Sequence, residues 1–150
     1  MSKKQTLAEI NNNPLNIRYN PQNQWKGQTG QNKGFCTFTH EAYGIRAAYI
    51  IITNYIKNGY DTIREIVSRW APPTENNTEG YVMFVSEETI IDPDAKLKDD
   101  TIHDYWTKID ILQAMARMES GKVFDHQQIN LYINYPQRYE KDNSTNHMDK

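Results

Sequence analysis

The sequence predicts a single, mainly α-helical domain of about four helices, with a loop-rich lobe that could include a short β-hairpin. The length of 150 residues fits one domain with a modest core. Apolar residues recur at helical spacing in several segments after residue 39. The segment from Asn11 to Gly34 is instead rich in Asn, Gln, Gly and Pro, which favour turns. We expect residues 1–10 to be a loose lead-in or a short helix, and residues 139–150 to be a loose tail.

Four segments combine a helical apolar pattern with start and stop signals. Before them, "GFCTFTH" is typical of a short strand or an extended arm, and near the end "QQINLYINYPQRY" fits either an extended segment or a short helix. The predicted helices start at Thr39, Asp61, Thr78, and Asp100 or Thr101, and they stop at Asn58-Gly59, at Pro72-Pro73, before the polar connector "IDPDAKLKDD", and at Gly121.

Composition argues against several classes of protein. The formal net charge is -2, so no basic excess favours a nucleic-acid partner. The longest apolar stretch, from Ala47 to Thr53, is too short to span a bilayer. No apolar run follows Lys3 and Lys4, so we expect a protein made in the cytoplasm without a signal peptide.

Glu119 is the most informative single residue. It follows the apolar face of the fourth helix by one position and precedes Ser120-Gly121, where that helix should stop. The negative end of the helix dipole and partial burial both favour the protonated form of such a carboxyl. A carboxylic acid of this kind can protonate a leaving oxygen in glycoside cleavage. The alternative is a surface glutamate that solvates the end of a helix.

Other chemistries have weaker support. Cys36 with His40 or His126 could form a thiol hydrolase pair, although the usual signatures are absent. The four histidines are scattered, Cys36 is the one cysteine, and no glycine-rich phosphate loop occurs. We therefore expect no metal and no cofactor.

The segment "RWAPPTENNTEGY" has two interpretations. It could be a rigid connector whose prolines and polar residues terminate and cap helices. It could also form the wall of a sugar-binding cleft, in which an indole stacks on a sugar and amides pair with hydroxyl or acetamido groups. The second interpretation would involve Trp70, Glu75, Asn76 and Asn77, with Tyr81 beside them.

Several segments together resemble a protein family found in gut Bacteroidales genomes and tailed phages, whose members are often labelled phage structural or virion proteins. The resemblance extends from about Asn11 to Gly121 and includes "NNNPLNIRYNPQNQWKGQ", "GFCTFTHEAYGIRAAYIIITNYI", "DTIREIVSRWAPPTENNTEGYVMFV" and "AMARMESGK". It implies a phage association but no particular chemistry.

A second resemblance concerns glucosaminidases and lytic transglycosylases with a lysozyme-like domain. In those enzymes a helix ending in Glu-Ser-Gly precedes an Asn-x-x-Gly-Ile-Lys segment, a Trp-x-Gly segment and a helix carrying a tyrosine motif. Here "AMARMESG" comes after the similar segments "NPLNIR", "WKG" and "TEGYV". We therefore hypothesise a circular permutation, which would place Glu119 close to residues 13–17 and to Tyr81.

The second resemblance implies a lysozyme-like fold for the domain and cleavage of the glycan strands of peptidoglycan, by a lytic transglycosylase or a muramidase- or glucosaminidase-type enzyme. Glu119 would be the acid and Tyr81 would stabilise developing charge, while a hydrolase would need a second carboxylate from Glu75, Glu79 or Glu41. Delivery to the cell wall would depend on a phage or secretion apparatus. The alternative is a non-catalytic virion or secretion-system module that binds glycan or assembles. The implied substrate-binding residues are Asn13, Asn16, Arg18, Trp25, Trp70, Asn76 and Asn77.

Overall fold

The computed structural model describes residues 4–72 and 77–135. The predicted mainly α-helical class is confirmed, and the predicted hairpin is present. The described elements are α1 (Leu7–Ile10), β1 (Gln28–Asn32), β2 (Phe35–Phe38), α2 (Glu41–Lys57), α3 (Ile63–Trp70), α4 (Thr78–Thr89), α5 (Ile102–Ser120) and α6 (His126–Ile133).

Two short helices accompany the four that the sequence predicts. Helix α1 lies within the expected lead-in, and a capping box between Thr6 and Glu9 stabilises it. Helix α6 resolves the ambiguity of the "QQINLYI" segment in favour of a helix, with Asp125 as its N-cap. The expected loose tail, residues 139–150, lies outside the described residues.

The N-caps differ from those predicted at two of the four predicted helices. His40, not Thr39, caps α2 by accepting a hydrogen bond from the amide of Ala42 through Nδ1. Thr62, not Asp61, caps α3, and its hydroxyl accepts from the amide of Glu65. Helix α4 begins at Thr78, as predicted, and Asn77 is its N-cap. Thr101, one of the two predicted alternatives, is the N-cap of α5.

Strands β1 and β2 form a two-stranded antiparallel sheet, with Asn32 opposite Phe35 and a bulge between Gln28 and Gly30. The two residues between the strands, Lys33 and Gly34, both have positive φ, as tight hairpin turns require. The preceding loop pairs with the hairpin where Arg18 bridges to Phe35. These pairings give the loop-rich lobe a defined backbone.

The core lies around the two longest helices. Helix α5 packs against α1, α2, α4 and α6, and α2 also packs against α6 and β2. Burial of their apolar faces supplies the main stabilising free energy of such a small domain. Fully buried core side chains from several elements include Leu15, Ile45, Ile52, Ile66, Ile109, Leu112, Met115 and Phe124.

No helix among the described residues is both long enough and apolar enough to cross a membrane.

Candidate functional site

Glu119 occupies the last turn of α5, and the residues after it fix that end of the helix. The Ser120 hydroxyl donates to the carbonyl of Ala116 at 2.7 Å. Gly121 adopts a left-handed conformation with φ of 78°, which glycine accepts without strain, and its amide donates to the carbonyl of Arg117. The sequence Glu-Ser-Gly therefore ends the helix and fixes the backbone position of Glu119.

Two side chains donate hydrogen bonds to the Glu119 carboxyl group. Asn16 Nδ2 lies 3.0 Å from Oε1, and the Tyr81 hydroxyl lies 3.0 Å from Oε2. Asn16 belongs to the loop-rich lobe and Tyr81 to α4, so three separate parts of the chain meet at this group. Such bonds restrict the rotamer of the carboxyl as well as its charge state.

Opposing effects act on the pKa of Glu119, and the net pKa is raised above its ordinary value. Partial burial is the largest effect, and it raises the pKa because the ionised form loses water. The hydrogen bonds from Asn16 and Tyr81, and the positive charge of Arg18, act in the opposite direction. Burial beside Glu119 also raises the pKa of Tyr81 well above its usual range, so the phenol remains a donor.

Asn16 is held in place by an unusual backbone conformation. Its φ is 51°, a left-handed value that asparagine tolerates better than most residues. Asn13 stabilises this turn: its Nδ2 donates to the carbonyls of Ile17 and Cys36, and its Oδ1 accepts from the amide of Ile17. Asn16 stands where the lysozyme-like pattern has glycine, and its backbone has the positive φ that glycine adopts most readily.

The start of the chain lies against the end of α5. The Thr6 hydroxyl donates to the carbonyl of Ser120 at 3.2 Å, and Asn16 Nδ2 also lies 3.3 Å from the carbonyl of Glu119. Helix α1 packs on α5 as well. The proximity of Glu119 to residues 13–17 and to Tyr81 is the one that the permutation hypothesis predicts, whereas the permutation itself remains a prediction.

A cleft of about 500 Å³ opens next to Asn16. Asparagines of the loop-rich lobe line one part of it, and Ile51 of α2 lies on another. Aromatic side chains with polar edges suit the apolar faces and hydroxyl groups of sugars. The aromatic and charged side chains that line the cleft are Tyr19, Trp25, Tyr55, Trp70, Arg18 and Arg69.

The indole of Trp70 is fixed between the cleft and the core. Its Nε1 donates to the carbonyl of Leu15 at 2.8 Å. Its ring meets the Tyr55 ring edge to face, with centroids 6.3 Å apart. Both rings are only partly buried, so each retains surface facing the cleft. This side of the cleft is therefore preorganised.

The predicted binding residues fall into three groups. Asn16, Arg18, Trp25 and Trp70 all line the cleft. The expectation for Asn13 needs correction, because this side chain is fully buried and its polar atoms are used within the loop, so it shapes the site without facing a ligand. Asn77 does not line the cleft and its Oδ1 caps α4. Glu75 and Asn76 lie outside the described residues.

Two of the three carboxylates considered as a second catalytic group are engaged elsewhere. Glu79 is exposed and pairs with Arg64 at 2.7 Å. Glu41 pairs with Lys122 at 2.9 Å and accepts a hydrogen bond from the Tyr132 hydroxyl. Neither lines the cleft.

The thiol alternative has little geometric support. Cys36 is buried in the hairpin, and burial raises the pKa of its thiol. His40 is engaged in capping α2, and His126 forms a pair with Asp110 on α5. Within residues 4–72 and 77–135, no three His, Cys, Asp or Glu side chains are grouped as metal ligands.

Sequence reasoning missed several residues of the cleft. Tyr55 and Ile51 occupy one side of α2 four residues apart, a spacing that also suits ordinary core packing. Arg69 immediately precedes Trp70, yet its charge fits an ordinary helix end. The signal that could have found them is the clustering of tyrosine, tryptophan and arginine around the ends of α2 and α3.

No protein-family model matches the chain. It is similar to "Protein P5" of Pseudoalteromonas phage PM2, with 38% identity over 116 residues, which cover 74% of this chain and 69% of that protein. The phage part of the first resemblance is thereby confirmed in its coarse form. The Bacteroidales grouping and the lysozyme-like resemblance remain predictions.

Proposed function

The chain belongs to the family of Protein P5 of Pseudoalteromonas phage PM2, and from that premise and the geometry of its cleft we propose that it cleaves the glycan strands of peptidoglycan. The observation that carries this proposal is the Glu119 carboxyl, partly buried and held by Asn16 and Tyr81. Asn16 connects this acid to a cleft of aromatic and amide side chains, whose lining includes Asn16 but neither Glu119 nor Tyr81. The lysozyme-like resemblance supports the same chemistry. The protein would act at the cell wall after phage-mediated delivery.

In the proposed reaction Glu119 is the general acid. Its proton goes to the bridging oxygen as the bond from that oxygen to the anomeric carbon breaks, which leaves an oxocarbenium-like sugar and a Glu119 carboxylate. The hydrogen bonds from Asn16 and Tyr81 become stronger when the acceptor is charged, so they stabilise the group as the proton leaves. The raised pKa favours the protonated form that the first step needs.

We favour a lytic transglycosylase over a hydrolase. A hydroxyl of the muramyl residue itself would attack the anomeric carbon and return its proton to Glu119, so no water and no second carboxylate are needed. The engagement of Glu41 and Glu79 in ion pairs away from the cleft supports this choice. Glu75, outside the described residues, would be the acid to test if water proved to be the nucleophile.

Mass spectrometry of muropeptides released from purified sacculi tests the proposal. We expect fragments with anhydromuramyl ends, which are lighter by one water than reducing ends. The E119Q variant should release none, whereas E88Q, which alters an exposed glutamate paired with Arg117, should act like the wild type. Turnover by E119Q, or unchanged sacculi with the wild type, would reject the assignment, and the latter result would favour the non-catalytic virion module.

A further inference from the structure

The charged residues that line the cleft are basic, whereas the chain as a whole has a small acidic excess. The protein carries 19 acidic and 17 basic residues. The charged side chains lining the cleft, among the described residues, are nevertheless both arginines, Arg18 and Arg69. A neutral sugar polymer needs hydrogen-bonding groups and stacking surfaces but no pair of guanidinium groups. An arginine on the cleft wall that no described carboxylate neutralises therefore indicates an acidic group on the ligand.

Arg69 is held by aromatic rings. Its guanidinium carbon lies 4.1 Å from the ring centroid of Tyr60 and 5.2 Å from that of Tyr55. Cation–π contacts of this kind orient the guanidinium plane while leaving its N–H edges available. Arg69 is exposed, and within residues 4–72 and 77–135 it forms no ion pair with a carboxylate.

Two other exposed arginines differ from Arg69 in this respect. Arg64 binds Asp94 at 2.9 Å and Glu79 at 2.7 Å. Arg117 binds Glu88 at 2.8 Å. Neither of them lines the cleft. Of Arg64, Arg69 and Arg117, only Arg69 lines the cleft, and it is also the one that no described carboxylate pairs with.

We propose that the cleft recognises a carboxylate on the glycan, and that Arg69 is the residue that binds it. This inference rests on the proposed function and narrows its substrate class. The substrate would be an acid-bearing strand, with the carboxylate on the stem peptide of a muramyl residue or on a lactyl arm that carries no peptide. Uncharged chains of N-acetylglucosamine would bind poorly. Arg69 is a specificity residue here, whereas Glu119 carries the chemistry.

Sedimentation with insoluble polymers measures this binding without relying on cleavage. The E119Q protein is mixed with native sacculi, with sacculi whose carboxylates have been amidated by carbodiimide and methylamine, and with chitin. A guanidinium–carboxylate pair contributes enough that its loss should weaken binding about tenfold. We expect amidated sacculi and chitin to bind at least that much more weakly than native sacculi.

Single substitutions then assign the effect to Arg69. Adding R69Q should weaken binding to native sacculi about tenfold and remove any further effect of amidation. Adding R69K should restore part of the difference between native and amidated sacculi, because lysine keeps the charge without the planar fork. Adding R64Q, which removes a guanidinium away from the cleft, should leave binding and its dependence on amidation unchanged.

Equal binding to native and amidated sacculi, or an R69Q protein that responds to amidation as strongly as R64Q does, would overturn the inference.

Muropeptide release by the wild type is scored separately. Carboxylate-dependent binding without muropeptides would remove the proposed cleavage and keep the recognition, and the reverse result would remove only the recognition. Removal of the stem peptides takes away their carboxylates and frees the lactyl carboxylate, which the peptide otherwise holds as an amide. Weakened binding to stripped sacculi would therefore assign the contact to the peptide, whereas binding that persists and is lost in R69Q would show that a free lactyl carboxylate is also recognised.

Discussion

The hydroxyl of Tyr81 donates a hydrogen bond of 3.0 Å to Oε2 of Glu119, a residue 38 positions further along the chain. Tyr81 is buried on α4, and Glu119 ends the packed face of α5, so the contact between these helices sets the geometry of the acid. Asn16, in the loop-rich lobe, donates a hydrogen bond to the other carboxyl oxygen, Oε1. The acid is therefore oriented by a helix packing and by a loop together.

Replacing Arg18 should move the pH dependence of cleavage. The positive charge of Arg18 favours the carboxylate of Glu119 and so lowers its pKa. In R18Q the pKa of Glu119 should rise, and the protonated acid should persist to higher pH. We expect the high-pH limb of the cleavage rate to shift upward, measured as initial muropeptide release from pH 4 to 9.

The control for this prediction is R64Q, which removes an exposed guanidinium that pairs with Glu79 and Asp94. Its high-pH limb should coincide with that of the wild type. The position of the limb, and not the absolute rate, is compared, because Arg18 also lines the cleft. A limb that stays in place in R18Q would mean that Glu119 is not the titrating acid.

Ionisation of Glu119 should lower the free energy of unfolding of the wild type as pH rises. Its pKa is raised in the folded protein, so between the unfolded value of about 4.3 and the folded value the native state binds more protons than the unfolded state. The free energy of unfolding therefore falls as pH increases through this interval. E119Q lacks this titration, so its melting temperature relative to the wild type should increase from pH 4 to pH 7.

Thermal unfolding of both proteins at several pH values measures the difference. E87Q provides the comparison, because Glu87 is an exposed glutamate of α4 and its replacement reports what loss of a surface glutamate does. The gain of E119Q over the wild type should grow with pH by more than that of E87Q. A gain that shrinks toward neutral pH would contradict the raised pKa.

Two substitutions of Asn16 separate its side-chain contacts from its backbone conformation. N16G accepts the φ of 51° but loses the hydrogen bonds to Oε1 and the carbonyl of Glu119. N16A loses the same bonds and adds left-handed backbone strain of about 1 kcal/mol. We expect N16A to be the less stable of the two in chemical denaturation. Both variants should cleave at least about tenfold more slowly than the wild type, because the acid is less well oriented. Equal stability of the two variants would show that φ at this position is not constrained.

Local sequence signals predicted the helices well and their exact starts less well. The end of α5 at Gly121 and its N-cap at Thr101 follow from residue types alone. At α2 the sequence offers both Thr39 and His40, and the cap is the residue whose side chain reaches the second amide of the helix. Choosing between adjacent polar residues depends on the direction in which the chain enters the helix, which tertiary packing decides.

The candidate site was predictable in part, because its acid carries a local signature and its cleft does not. Glu119 stands out through the Glu-Ser-Gly end of an apolar helix. Asn13 and Asn16 belong to one asparagine-rich loop, yet one is buried as a structural support and the other faces the acid. Only the turn geometry distinguishes them. Arg69 becomes part of the cleft because Arg69 and Trp70, at the end of α3, contact Tyr55 of α2, which no local pattern encodes.

Gly27 of the Trp-Lys-Gly segment should be the least replaceable glycine of the cleft region. Its φ is 78°, and a Cβ atom there would lie 2.2 Å from the ring of Tyr43, which is itself buried. G27A should therefore combine left-handed backbone strain with overpacking and lose about 2–4 kcal/mol of stability in chemical denaturation. Because Trp25 lies two residues earlier in the cleft wall, binding to sacculi should weaken as well.

Gly34 separates these two causes. Its φ of 86° imposes similar strain on alanine, but no atom lies within 4 Å of the added Cβ. G34A should lose only about 1 kcal/mol. Gly34 does not itself line the cleft, and its backbone carbonyl, which accepts from the amide of Tyr19, is unchanged by the substitution, so sacculus binding should remain intact. If the two variants were equally stable, the contact between Gly27 and Tyr43 would contribute nothing. A larger loss of stability in G27A would show that the close approach of Gly27 to Tyr43 excludes a side chain, and weaker sacculus binding by G27A than by G34A would show that this approach positions Trp25 in the cleft.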